Sequence, residues 1–187
     1  MSRIPPAPPE AYVPLYGADA PLRQQVYANA PHLVPAYQTW MSALRESSEL
    51  PHRLLELLRL RVAFHNQCRS CMAIRYTSAD DEGVGEDLVC SLERPMEAPD
   101  LTAAEKAALA FADRFATDHL AIDEAMFDDL RLHFSDREIL DLGFQVATFV
   151  GYGRLAASLN MVDDLPQEYA DVEATLSPWA QRPHYVL

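Results

Sequence analysis

The stretch LLELLRLRVAFHNQCRSC, residues 54–71, decides how this chain is read. Leu54, Leu57, Leu58 and Val62, with Leu50 just upstream, recur at the three- and four-residue steps of one helical face. Pro51 stands where a first helical turn accepts it, because the amide it lacks would be unpaired there in any case. The run stops at His65, Asn66 and Gln67, and two of the chain's three cysteines follow, Cys68 and Cys71. An apolar helix therefore leads directly into a CxxC pair. Glu56, set among leucines, reads either as a solvated residue on the outer helix face or as a partly buried carboxylate suited to proton transfer.

Upstream, Leu33, Tyr37, Trp40, Met41 and Leu44 carry the same helical period. The first 21 residues hold six prolines and no sustained period, so they are expected to form an extended arm packed on the body or on a neighbour. Downstream, residues 68–81 read as a short helix, 85–93 as another, and 94–100 as a loop. Thr102 with Glu105, and Ser135 with Glu138, have the spacing of capping boxes opening helices at 102–118 and 135–159. In the latter, Ile139, Leu142, Val146, Phe149 and Val150 share a face, and Gly143, Gly151 and Gly153 would let another backbone come close. No stretch alternates as a strand. The expected fold is all-α, a single helical domain of about seven or eight helices over 22–164, with the arm at 1–21 and an irregular tail at 165–187. Trp179 and Tyr185 in the tail are expected to cover a core edge.

Charge and composition set limits on partners. A net charge of −13 argues against nucleic acid or an anionic membrane surface. No run approaches the ~20 apolar residues that span a bilayer, and the start lacks the apolar core of a signal peptide. The expectation is a soluble cytoplasmic protein, in a compartment that keeps thiols reduced.

That setting turns the cysteine pair toward redox or metal chemistry. If Cys68 opens a helix, Cys71 falls in its first turn, where free amides favour a thiolate; on a continuing helix Arg75 would share that face and add a fixed positive charge. Three readings stand. A zinc site would need Cys90 and His65 to complete it, inert buried thiols would need nothing further, and a redox dithiol follows from the usual meaning of CxxC in the cytosol. His119 and His133 stand near expected helix ends, where a cation is favoured for local reasons.

The surroundings of the pair resemble a known family. ELLRLRVAFHNQCRSC, with Glu56 twelve residues before Cys68, is similar to the core motif of the alkylhydroperoxidase D-like branch of the carboxymuconolactone decarboxylase superfamily. The likeness extends over roughly residues 30–160, through the helix opening LTAAEKAAL and the one opening FSDREI and ending GRLAASL. It implies an all-helical homo-oligomer, commonly a trimer or hexamer; no cofactor or metal is expected. By position it implies Cys71 as the thiol that attacks a peroxide, Cys68 as the resolving thiol and Glu56 as a relay carboxylate. The family's relay histidine is replaced here by Arg75. A guanidinium stays charged and can only hold an anion or pair with a carboxylate such as Glu56, so peroxide turnover is expected to be slower than in members with the histidine unless His65 or a water delivers the proton. The implied substrate is a small molecule, a peroxide or a small organic acid, with a dithiol or protein reductant. Two alternatives follow: an acid–base, decarboxylase-like enzyme that does not use the thiols, and a non-enzymatic helical oligomer that senses oxidation.

Overall fold

The computed structural model of the chain describes residues 1–76, 80–171 and 174–180, and the backbone of 185–186. Among them are nine α-helices: α1 Pro9–Tyr16, α2 Leu22–Tyr27, α3 Val34–Glu46, α4 His52–Asn66, α5 Arg69–Met72, α6 Glu86–Ser91, α7 Ala103–Thr117, α8 Glu124–Arg131 and α9 Asp136–Leu159. The all-α expectation holds, with short helices raising the number past eight.

The fold is organised around α4, which lies between α7 and α9. The expected leucine stripe is buried, and so is every residue from Leu54 to Leu60: residues of α6 and the 94–101 segment join the leucines in one core cluster, while α5 and the segment after it cover Glu56 and Arg59. Burying residues such as Leu57, Leu58 and Leu60 contributes roughly 1.5–3 kcal/mol each. Both capping boxes form: Thr102 Oγ1 accepts from the Glu105 amide at 3.2 Å, and Ser135 Oγ from the Glu138 amide at 3.3 Å.

One expected helix is cut short. Cys68 is the N-cap of α5, which ends at Met72, and Ile74–Arg75 forms a strand, β1, paired in parallel with Tyr185–Val186, β2. Arg75 therefore does not share a helix face with the cysteines. The tail supplies the backbone partners that a longer helix would have found internally; residues 77–79 of that expected helix lie outside the described residues. The arm is another difference. Part of it coils into α1, with Pro9 in its first turn, rather than staying extended. It packs on the body, the Arg3 amide donating to the Leu159 carbonyl at 2.8 Å and the Ala7 amide to that of Gln25 at 3.0 Å.

The tail from Leu165 is mostly irregular, and Trp179 stacks on Phe64 with ring centres 4.7 Å apart, covering a core edge as expected. The Tyr185 side chain lies outside the described residues. Among the described residues, no helix is long and apolar enough to cross a membrane.

Candidate active site

The left-handed backbone of Gln67 (φ 49°) ends α4 and turns the chain so that α5 starts in a new direction. Gln67 is held there by its own side chain, which donates to the Phe64 carbonyl at 2.7 Å and to the Leu176 carbonyl at 3.0 Å. Asn66, just before it, donates to the Phe149 carbonyl of α9 at 2.9 Å. A methyl group at Gly153 would collide with that Asn66 amide, so glycine is what lets α9 approach. Gly143 and Gly151 meet no such neighbour among the described residues.

Cys68 and Cys71 are joined as a disulfide with Cα atoms 5.2 Å apart. The two sulfurs have unlike settings. Cys68 is fully buried among Val26, Ala156 and Met161, with Ser70 Oγ 3.7 Å from its sulfur. Cys71 is only partly buried and lines a cavity of about 50 Å³, together with Arg59, Tyr76, Tyr152 and Gly153. That small cavity adjoins a larger one of about 330 Å³; Arg23, Tyr27, Tyr37 and Tyr76 face both.

Glu56 is buried, so it is not a solvated residue on an outer helix face. Its partner is Arg59, not Arg75: Arg59 Nε donates to one carboxylate oxygen and Nη2 to the other, each at 2.7 Å. The same guanidinium donates to the carbonyls of Cys71 at 2.6 Å and Ile74 at 2.7 Å, tying the ion pair to the CxxC turn. Burial alone would lower the pKa of Arg59, but attraction to Glu56 and the hydrogen bonds outweigh it and raise the pKa above the ordinary value. The Tyr76 amide adds a third donor to Glu56 at 3.3 Å, and its ring packs 4.7 Å from the Arg59 guanidinium carbon.

Arg75, expected beside Glu56, is buried against the other side of the turn. It makes a two-pronged pair with Glu86 at 2.8 and 3.1 Å and donates to the carbonyls of Met72 and Pro178. His65 also stands apart from the pair. Its Nε2 is 2.7 Å from Asp113 Oδ1, a carboxylate that Arg61 holds as well. Cys90, the free cysteine, is exposed and directed at the Trp179 carbonyl. Of the expected site residues the structure thus groups Cys68, Cys71 and Glu56, and leaves Arg75 and His65 outside the cavity.

Arg59 was legible in part, since it stands three residues after Glu56, the spacing of a helical ion pair. Nothing in the sequence marked Arg23 or the tyrosines as site residues; they come together from α2, α3, α9 and the position just after β1. Burial raises the Tyr27 pKa, and it pushes Tyr37 up to about 12 despite the nearby Arg23.

Comparison with known proteins supplies a context for this geometry. The sequence model of the carboxymuconolactone decarboxylase family matches residues 31–114. The chain is 40% identical over 93 residues to uncharacterized proteins from two strains of Mycobacterium tuberculosis, a match spanning 49% of this chain but about a third (32%) of those relatives' length. A protein of unknown function from Agrobacterium tumefaciens, provisionally assigned to antioxidant defence as AhpD, is similar in structure with a TM-score of 0.60 and 26% identity, over 71% of this chain and 92% of that one. The debrominase Bmp8, solved with 2,3,4-tribromopyrrole, shares the fold with a TM-score of 0.73 over 91% of this chain and 97% of its own, at 17% identity.

Proposed function

We propose that this chain, which matches the carboxymuconolactone decarboxylase family model over residues 31–114 and carries a CxxC pair, is a member of the alkylhydroperoxidase D-like branch of that superfamily and acts as a cytoplasmic thiol-dependent peroxidase or disulfide oxidoreductase. The observation that carries the reading is the unequal exposure of the two sulfurs. Cys71 faces a cavity that can admit a small molecule, and Cys68, in bonding reach, is sealed behind it.

The reaction then runs in three steps. The Cys71 thiolate attacks the outer oxygen of a hydroperoxide, forming an S–O bond as the O–O bond breaks, and the departing alkoxide takes a proton. Cys68 attacks the resulting sulfenic acid, forming the disulfide and releasing water. An external dithiol supplies two electrons to reopen it, its thiolate attacking Cys71, the accessible sulfur, with Cys68 as leaving group.

Glu56 accepts hydrogen bonds on both oxygens, which suits it to hold Arg59 and the Cys71 carbonyl in place rather than to donate a proton. The protic side chains around Cys71 are instead tyrosines and Thr148. On this reading they and solvent serve the alkoxide. The same engagement of Glu56 speaks against a decarboxylase-like reaction in which it would exchange protons freely.

Peroxide consumption with a dithiol donor tests the proposal. Cys71→Ser should abolish it, and Cys68→Ser should leave a sulfenic acid that a dimedone-type reagent traps on Cys71. Undiminished consumption by Cys71→Ser would remove the reading, and a disulfide that cycles without turnover would replace the enzyme with a redox sensor.

Assembly with further copies is part of the proposal. Trp40, Leu140, Phe144 and Leu155 are exposed along one flank of α3 and α9, an apolar surface that a second copy would cover.

A further inference from the structure

Acidic residues outnumber lysine and arginine in this chain by 28 to 15, so a random patch of its surface is negative. The larger cavity runs against that trend. Among the described residues its lining holds Arg23, Arg45 and His52 and no aspartate or glutamate, and the inner cavity adds Arg59, again with no acid.

Two of these side chains are already engaged. Arg59 is matched by Glu56, and His52 stands 3.3 Å from Glu82. Arg23 and Arg45 are different: neither guanidinium makes an ion pair or hydrogen bond among the described residues. Arg45 is exposed, its guanidinium carbon 6.0 Å from the Tyr76 ring, and Arg23 faces both cavities. Such a pair of uncommitted charges, placed over a concave surface, attracts and orients an anion. Between them and Cys71 the walls are chiefly tyrosine rings with Met41 and Phe149, a surface for an apolar body. The phenols of Tyr16, Tyr27 and Tyr37, whose pKa values burial raises above the ordinary one, offer an anion hydrogen bonds and no opposing charge.

We infer that this cavity binds an organic carboxylate, with its anionic end held by Arg23 and Arg45 and its apolar body lying between the tyrosines that lead to Cys71. The inference deepens the proposed function by specifying its substrate class, a hydroperoxide that also carries a carboxylate, and rests on that reading for the direction in which the molecule lies.

Binding can be measured without any turnover. The probe is 4-phenylbutyrate, titrated calorimetrically into the oxidised protein, with 4-phenylbutan-1-ol as its uncharged twin. The acid should bind about ten-fold or more tighter than the alcohol, the size of one charge-assisted hydrogen bond. Arg23→Gln with Arg45→Gln should erase that preference. Equal binding of acid and alcohol, binding of neither, or a preference that survives both substitutions would overturn the inference. Because the acid–alcohol comparison uses the unaltered protein, it decides the matter even if the double variant does not fold. The two proposals fail separately: selective acid binding without peroxide turnover sinks the peroxidase reading alone, and turnover with no selectivity for the acid sinks this one alone.

Discussion

Arg59 holds more of the site together than any residue singled out by motif. Its guanidinium satisfies the buried Glu56 carboxylate and two carbonyls of the CxxC turn at once. Removing it strands a buried negative charge, so Arg59→Met should cost about 3–5 kcal/mol in urea denaturation, and adding Glu56→Leu should recover much of that loss. A double variant no more stable than the single one would show that the pair is not coupled as described. Gly153 is a second test at this scale. Gly153→Ala drives a methyl into the Asn66 amide and should destabilise the fold by about 1–3 kcal/mol, visible as a lower urea midpoint, whereas the same change at Gly151, where space is open, should not. The sequence hinted at both, through the spacing of Arg59 from Glu56 and the small side of Gly153, but not at the carbonyls or the Asn66 amide that each meets on another segment.

The element that most departs from expectation is the short segment after Cys71. Gln67, Arg69 and Arg75 all bond the backbone of residues 174–178, and β1 pairs with β2, so the tail straps the CxxC turn from outside. Arg75 therefore serves as an anchor at the position where the resemblance placed a relay histidine. Arg75→His should not raise peroxide turnover. It should lower stability by about 2 kcal/mol, since an imidazole cannot reach Glu86 and three carbonyls together. A clear gain in turnover with unchanged stability would contradict the placement. The helices with strong local signals, α4, α7 and α9, were legible because their period and caps are written in neighbouring residues. β1 was not, since its only strand partner lies more than a hundred residues away.

Across the whole molecule, stability should depend on pH through Asp113. Burial acts to raise its pKa, but the hydrogen bonds from His65 and Arg61 outweigh this and hold it below the ordinary value. A carboxylate depressed in the folded state contributes stability that is fully present above its unfolded pKa and is lost as pH falls through the folded one. The urea midpoint should therefore hold near neutrality and decline below about pH 4, and Asp113→Asn should flatten part of that decline. An identical acid limb in the variant would remove Asp113 from the account. The exposed flank of α3 and α9 makes a prediction about assembly. Phe144→Glu should shift the light-scattering mass toward a single subunit, while a monomeric unaltered protein would leave the flank without that role.

Sequence alone determined the helical class, the central helix with its buried face, the capped starts of α7 and α9, and the presence of a CxxC pair at a helix start. Each of those is a local matter, fixed by residues within a turn or two of one another. Only the tertiary structure decided which arginine meets Glu56, which sulfur faces the cavity, and that tyrosines and arginines from separate elements line it. Those outcomes depend on where the chain turns at Gln67 and on what the tail and α2 lay over that turn, contacts whose energy comes from residues far apart in the chain.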